Sequence, residues 1–191
     1  FRGFCGRVAG GSVRAGDAVR VLPSGVKTRV KTVVAGFDEV PEAGPGDAIT
    51  LTLADEVDAS RGDVLVAADA APEVADQFEV RLLWMAEHAM APGRQYLLKL
   101  GCKEVTATIT EIKYREDVNT GAHLAAKTLG LNELAVVNLS TSAPLVFEPY
   151  SANRTLGSFI LIDKLSFETV GAGMIDFALR RARNIHWQAL E

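Results

Sequence analysis

Three Gly-Asp pairs punctuate the first third of the sequence and constrain the fold more than any other local feature. The pairs are Gly16-Asp17, Gly46-Asp47 and Gly62-Asp63, and a short apolar run follows each of them. Glycine adopts positive φ at little steric cost, and an aspartate side chain can bond to a nearby backbone N–H. Each pair therefore predicts a turn that feeds a β-strand.

The residues between these turns alternate in the manner of strands. In residues 48–53, Ile49 and Leu51 share one face, while Thr50 and Thr52 share the other. Such alternation is typical of an antiparallel sheet with one face on a core. Many short strands with frequent turns favour a closed barrel, because closure removes the unpaired edges of a sheet.

A second all-β unit follows a small, unpatterned segment. Residues 67–72 (Ala-Ala-Asp-Ala-Ala-Pro) end in proline and predict a linker, after which the alternation of residues 78–84 begins again. We therefore predict an all-β fold of two consecutive antiparallel β-barrels, over residues 1–70 and 71–178. Residues 179–191 are interpreted as an exit segment, and residues 122–129 as one short helix.

Net charge, apolar run length and cysteine count limit which partners and which cellular compartment this chain is suited to. The formal net charge of -4 disfavours nucleic acid and anionic membrane surfaces as partners, although a local basic patch stays open. No run approaches the ~20 apolar residues that a membrane-spanning helix needs. The two cysteines, Cys5 and Cys102, lie far apart, which disfavours disulfides and zinc sites and fits a reducing cytoplasm. We expect both thiols to be buried and inert.

No pattern of chemically active residues supports catalysis. The glycine-rich opening, residues 6–16, leads into a strand rather than a helix, so it does not predict a phosphate-binding loop. His88, His123 and His186 are widely spaced, without a second ligand-type residue at the spacing that a metal site needs. We predict no catalytic, nucleotide-binding or metal-binding residue in this chain.

Arg154 is a candidate contact residue. It precedes the apolar run of residues 159–162, and its guanidinium has two interpretations. It pairs with an acidic group across a domain interface, or it closes a local salt bridge on the surface. Together with its neighbour Asn153, it is the candidate interdomain or partner contact.

Longer motifs in both units resemble a known family. The first unit contains Gly-x-Val and Gly-x-Val-x-x-Gly-Asp-x-Val at residues 6–19 and Gly-x-Gly-Asp-Ala at residues 44–48, and it resembles domain two of translation-factor GTPases such as elongation factor Tu. The second unit resembles the large GTP-binding subunit of bacterial sulfate adenylyltransferase. This second resemblance rests on Lys-Thr-Leu-Gly-Leu-Asn-Glu at residues 127–133, Asn-Arg-Thr-x-Gly-Ser-Phe-Ile-Leu-Ile-Asp at residues 153–163 and Thr-Val-Gly-Ala-Gly-Met-Ile at residues 169–175.

The resemblance implies two barrels like domains two and three of elongation factor Tu, and a parent that couples GTP hydrolysis to the formation of adenylyl sulfate from ATP and sulfate. It implies a small catalytic subunit as partner, a GTPase domain in cis that holds GTP and magnesium, and ATP as substrate of the complex. The strand expected before Phe1 is missing from the sequence, so we expect an open edge on the first barrel.

Residues 183–188 further resemble the junction to an adenylyl-sulfate kinase domain in bifunctional members. The alternative function, from a different class, is a tRNA-binding barrel module of an elongation-factor relative. The net negative charge of the chain argues against this alternative, because tRNA binding needs Lys and Arg side chains clustered on one face.

Overall fold

The computed structural model describes residues 2–70 and 72–179, which fold into fifteen strands and one short helix. The first eight strands are β1 (Phe4–Arg7), β2 (Val13–Arg14), β3 (Ala18–Leu22), β4 (Val26–Ala35), β5 (Asp38–Glu39), β6 (Glu42–Ala43), β7 (Ala48–Leu53) and β8 (Val64–Ala67). The others are β9 (Glu73–Trp84), β10 (Gln95–Leu100), β11 (Lys103–Glu116), β12 (His123–Leu124), β13 (Leu134–Phe147), β14 (Ser158–Asp163) and β15 (Thr169–Ala178), with helix α1 (Arg154–Gly157) between β13 and β14.

Strands β1 to β8 form the unit that we call the first barrel. Its main sheet has the order β1-β7-β4-β3-β8, with β5 added to β4, and β2 pairs with β6 separately. The alternation in β7 is confirmed, since Ile49 and Leu51 point into the core. The buried cluster is small and consists of Val19, Val30, Val33, Ala43, Ile49 and Leu51.

The three Gly-Asp turns are confirmed and share one geometry. Gly16, Gly46 and Gly62 have φ of 93°, 94° and 92°. In each turn one carboxylate oxygen of the aspartate accepts a hydrogen bond from the N–H three residues earlier: Asp17 from Arg14 at 2.8 Å, Asp47 from Gly44 at 2.8 Å and Asp63 from Ser60 at 2.9 Å. The side chain thus closes the turn that glycine allows.

The second barrel is a closed ring of six strands. Its order is β10-β14-β15-β9-β13-β11, and β10 also pairs with β11, which joins the two ends of that order. Aromatic side chains fill the interior: Trp84 and Tyr96 meet edge to face at 5.6 Å between ring centroids, and Phe78 and Phe147 at 5.1 Å. All strand pairs within the described parts of both barrels are antiparallel.

The all-β prediction is confirmed, whereas the helix predicted over residues 122–129 is wrong. His123 and Leu124 form β12 instead and pair with Arg115 and Glu116 of β11. Leu129 is fully buried and bridges to Met90 across the end of the barrel. These tertiary contacts outweigh the local helix preference of the segment.

The expectation of buried thiols is also wrong, because Cys5 and Cys102 are both exposed. Cys5 lies on the outer face of β1, where its Sγ is 3.2 Å from Oγ1 of Thr50. Cys102 lies in the tight turn between β10 and β11.

Two further expectations concern the chain ends and membranes. Of the exit segment, the structure describes only Leu179, whose N–H donates to the Gln77 carbonyl oxygen at 2.9 Å, so the junction-like motif of residues 183–188 lies outside the described residues. Within residues 2–70 and 72–179, no helix has the length and apolar character needed to cross a membrane.

Candidate functional site at the junction of the two barrels

In the parts of the chain that the structure describes, polar side-chain contacts join the two barrels at two places, and the first joins the turn before β8 to the start of β11. The carboxylate of Asp63 uses Oδ2 to close its own turn and places Oδ1 3.6 Å from Nζ of Lys103. Both side chains are largely shielded, with 16% and 29% of their surfaces exposed. Because solvent screens such a half-buried pair less than a surface pair, it fixes the relative position of the barrels better than an exposed pair does.

Gly62 makes this approach possible. A Cβ on Gly62 would lie 2.9 Å from Cα of Lys103, which is closer than real Cβ atoms come to backbone. The corresponding turn glycine Gly16 has almost the same φ, yet a Cβ there would meet nothing within 4 Å. Gly62 is therefore required both for its backbone conformation and for the close approach of the second barrel.

The second contact point is made by Asn153. Its Oδ1 caps α1 by accepting from the N–H groups of Thr155 at 3.0 Å and Leu156 at 3.2 Å. Its Nδ2 donates at 3.5 Å to the carbonyl oxygen of Ala9 in the first barrel, beside Gly10. The side-chain amide of Asn153 thus caps α1 in the second barrel and also contacts the first barrel. This combination needs both an acceptor and a donor, which an amide provides.

The loop that carries Asn153 is anchored firmly to the second barrel. Gly157 packs so closely on Tyr150 that a Cβ there would lie 2.5 Å from the Tyr150 backbone nitrogen and Cα. That same nitrogen donates to the Ile175 carbonyl oxygen of β15 at 2.9 Å. The position of Asn153 is consequently set by the barrel wall.

Arg154 is exposed, and its guanidinium lies 6.0 Å above the ring of Tyr150. No acidic partner within 4.0 Å is found for it in the described part of the chain. The assignment of Asn153 and Arg154 as an interdomain or partner contact stays a prediction.

The connecting segment is held against the first barrel. The N–H of Ala68 donates to the Ala18 carbonyl oxygen at 2.9 Å, and the guanidinium of Arg20 donates to the carbonyl oxygen of Ala70. Strand β9 of the second barrel begins at Glu73. This leaves a very short span between the last anchored residue of one barrel and the first strand of the next, which restricts their relative rotation.

Groups associated with catalysis lie elsewhere and apart from one another. His88 and His123 are exposed, and the His123 ring stacks on Tyr114 at 3.8 Å between centroids, whereas His186 lies outside the described residues. In the segments that the structure describes, no three His, Cys, Asp or Glu side chains are grouped so that they could hold a metal ion. The contacts observed at the junction join the two barrels.

Sequence reasoning missed the first-barrel side of this junction and Lys103. Gly62-Asp63 looks like the other Gly-Asp pairs in sequence, and nothing local distinguishes the glycine that faces another domain. A signal would come only from knowledge of how the barrels are placed, because the contact joins residues about 40 positions apart.

The profile of the GTP-eEF1A C-terminal domain-like family matches residues 77–176, which span all but the first and last strand residues of the second barrel. The chain belongs to this family. Two crystal structures of Sup35, complexed with GDP and with GMPPNP, share the fold of this chain. Their TM-scores are 0.83 and 0.81 at 18% identity, over 92% of this chain and 44% of the Sup35 chain.

Several curated proteins are similar along the whole length of the chain. The bifunctional enzyme CysN/CysC of Xylella fastidiosa is 55% identical over 191 residues, and the bifunctional enzyme NodQ of Rhizobium sp. strain N33 is 51% identical over 191 residues. Sulfate adenylyltransferase subunit 1 of Teredinibacter turnerae is 45% identical over 182 residues. The chain spans 31%, 30% and 39% of the lengths of these three relatives.

Proposed function

We propose that this chain is the two-barrel portion of the GTP-binding subunit of sulfate adenylyltransferase, and that it couples GTP hydrolysis to the formation of adenylyl sulfate from ATP and sulfate. The observation that carries the proposal is the 45–55% identity over 95–100% of the chain to proteins with the names CysN/CysC and sulfate adenylyltransferase subunit 1. The contribution of the barrels is positional, without a bond-making step.

Coupling of this kind requires at least two conformational states whose relative stability depends on the bound nucleotide. A module between the GTPase and the catalytic centre passes on a displacement only if it does not flex internally. The ion pair of Asp63 with Lys103 and the contact of Asn153 with Ala9 give the two barrels separate points of attachment, which resist hinge motion better than one point does.

The remaining parts of the proposed machine lie outside this chain. In this proposal GTP and magnesium are bound by a GTPase domain in cis, and ATP and sulfate react on a small catalytic subunit in the cytoplasm. The names of the bifunctional relatives favour an adenylyl-sulfate kinase domain in the same polypeptide.

The proposal is tested with the full-length protein and the small catalytic subunit. Adenylyl sulfate formation and GTP hydrolysis are measured together for the wild type, Gly62→Ala and the matched control Gly16→Ala. We expect GTP hydrolysis to continue in all three, while Gly62→Ala alone makes less adenylyl sulfate per GTP hydrolysed. A full-length protein that neither hydrolyses GTP nor increases adenylyl sulfate formation would contradict the proposal.

One observation favours the alternative of tRNA binding. Three cationic side chains, Lys27, Arg29 and Lys31, lie exposed in a row on the outer face of β4. Such a row could contact a phosphate backbone despite the net charge of -4. Fluorescence anisotropy with tRNA at increasing salt tests this alternative, which requires a salt-dependent complex that Lys27→Glu weakens.

A further inference from the structure

The outer wall of the second barrel carries an apolar groove that begins beside the junction. Its volume is about 530 Å³, which lies within the range of about 300–1,000 Å³ for typical ligand clefts. One end reaches Gly101 and Tyr150, which lie in the segments that carry the two junction contacts. Four half-buried apolar side chains line the groove further along the wall: Leu83, Ile160, Ala172 and Met174.

Strand register explains why this part of the wall is concave. Ala172 of β15 lies between Ile160 of β14 and Leu83 of β9, so a methyl group is flanked by two larger side chains. The neighbouring pair on the same face repeats this pattern, with Ser158 opposite Met174. Because paired strands form the groove, it does not have to open before a side chain enters it.

The rim of the groove carries a cation that has no acidic partner. The guanidinium of Arg154 lies 6.0 Å above the ring of Tyr150, and within the described residues no carboxylate comes within 4.0 Å of it. The other cation of the groove, Lys99, pairs with Glu104 at 3.2 Å between Nζ and Oε1. Glu148, the carboxylate of the loop that carries Arg154, does not line the groove. The groove therefore suits an apolar group that is accompanied by a carboxylate.

The first barrel presents such a group at the tip of the β4–β5 hairpin. Phe37 is fully exposed, and the exposed residues Asp38 and Glu39 follow it directly. Neither carboxylate has a cation within 4.0 Å in the part of the chain that the structure describes. The hairpin thus combines an aromatic side chain in water with two uncompensated negative charges.

The hairpin holds Phe37 in a defined position. The pairing of β4 with β5 leaves Gly36 and Phe37 as a two-residue loop, and the φ of Gly36 is 66°, as such a loop requires at its first position. The N–H of Val40 donates to the carbonyl oxygen of the buried Val33 at 2.9 Å, which fixes the base of the hairpin on the core. Insertion of Phe37 into a cleft would therefore cost little conformational entropy.

We propose that Phe37 of one copy of this chain inserts into the groove of a second copy, where Asp38 faces Arg154. Phe37 is in water in its own chain, so this contact joins two molecules. Charge complementarity selects Phe37 over the exposed Phe167, because the turn of Phe167 also carries the cation Lys164. Since the two surfaces lie on different barrels, the contact is head-to-tail and links copies into a ring or a chain. The inference goes beyond the proposed function and does not depend on it.

The test measures association of the full-length protein by sedimentation velocity at up to about 50 µM, where contacts of micromolar affinity are occupied. We expect the wild type to associate and Phe37→Asn to raise the dissociation constant at least ~30-fold, since it removes the aromatic anchor. The matched control is Phe167→Asn, which removes another exposed phenylalanine at a φ of 60° that asparagine tolerates, and it should leave association unchanged. Because Phe37 is fully exposed, its replacement should leave the melting temperature unchanged.

A mixture of two defective variants identifies the contact. Ala172→Glu places a carboxylate in the groove and should abolish association as Phe37→Asn does. Phe37→Asn keeps its groove and Ala172→Glu keeps its phenylalanine, so each should be monomeric alone, whereas the mixture should form a 1:1 complex. A mixture that stays monomeric, although circular dichroism shows both variants to be folded, would overturn the inference.

A charge exchange tests the position of Asp38. Arg154→Glu should weaken association by about 5-fold, and Asp38→Arg in the same chain should restore it. A wild type that stays monomeric over the whole concentration range would overturn the inference and leave the proposed function standing. An oligomer that Phe167→Asn dissociates and Phe37→Asn does not would also overturn it.

Discussion

The first and second barrels are built from similar antiparallel strands, but they bury very different amounts of apolar side chain. Among the described residues, the main buried cluster of the second barrel joins twenty-one residues, whereas that of the first joins six. The second barrel also closes its ring of strand pairs, while β1 and β8 stand at the two ends of the first sheet. Stability therefore resides mainly in the second barrel, and the first depends more on its turns and on docking.

The largest effects should come from the two cores. Leu161→Ala, at a fully buried position of the second barrel, should lower the free energy of unfolding by about 3–4 kcal/mol. Leu51→Ala in the first barrel should cost about 2 kcal/mol, because the smaller core can relax around the lost volume. Urea denaturation of both variants checks the difference, and equal losses would contradict the comparison.

An intermediate effect should separate two glycines with the same φ. Gly16→Ala strains only the backbone and should cost about 1 kcal/mol, whereas Gly62→Ala also forces Cβ onto Lys103 and should cost about 2 kcal/mol more. Thermal denaturation gives the magnitude. Hydrogen exchange shows which barrel is destabilised. Gly62→Ala should speed amide exchange selectively in the first barrel, and a uniform acceleration over both barrels would argue against a role of Gly62 at the junction.

The smallest effect should appear as pH dependence in the second barrel. The N–H groups of Leu165 and Ser166, followed by the Arg94 guanidinium, hold the pKa of Asp163 below its ordinary value of 3.8. A depressed pKa contributes stability that is present above the unfolded value and is lost as the pH falls through the folded value. Stability should thus decline below about pH 4 in the wild type, and less steeply in Asp163→Asn. Urea midpoints between pH 5 and pH 2 check this, and parallel profiles would contradict it.

Local chemistry made the all-β fold and its turns predictable. Gly-Asp turns and period-two alternation are set by neighbouring residues, so Asp17, Asp47 and Asp63 could be assigned to turn closure from the sequence alone. The failures arose where distant residues decide. Residues 122–129 have a helix-like composition, but Leu129 enters the barrel and bridges to Met90.

The candidate site was predictable only in part, for the same reason. Asn153 was a candidate as the neighbour of Arg154, whereas Gly62 and Lys103 carried no local mark of their contact across the junction. Phe167 likewise gave no sign in sequence that its φ would be positive, since this conformation follows from the turn that Asp163 closes.

The central claim is that the two barrels form one rigid body, and the chain carries its own probes for it. Cys5 lies exposed on the first barrel and Cys102 on the second, and they are the two cysteines of the sequence. Spin labels on both allow the distance between the barrels to be measured by pulsed electron paramagnetic resonance. The account predicts one narrow distance distribution that Gly62→Ala broadens and Gly16→Ala leaves unchanged. A broad or two-peaked distribution in the wild type would contradict it.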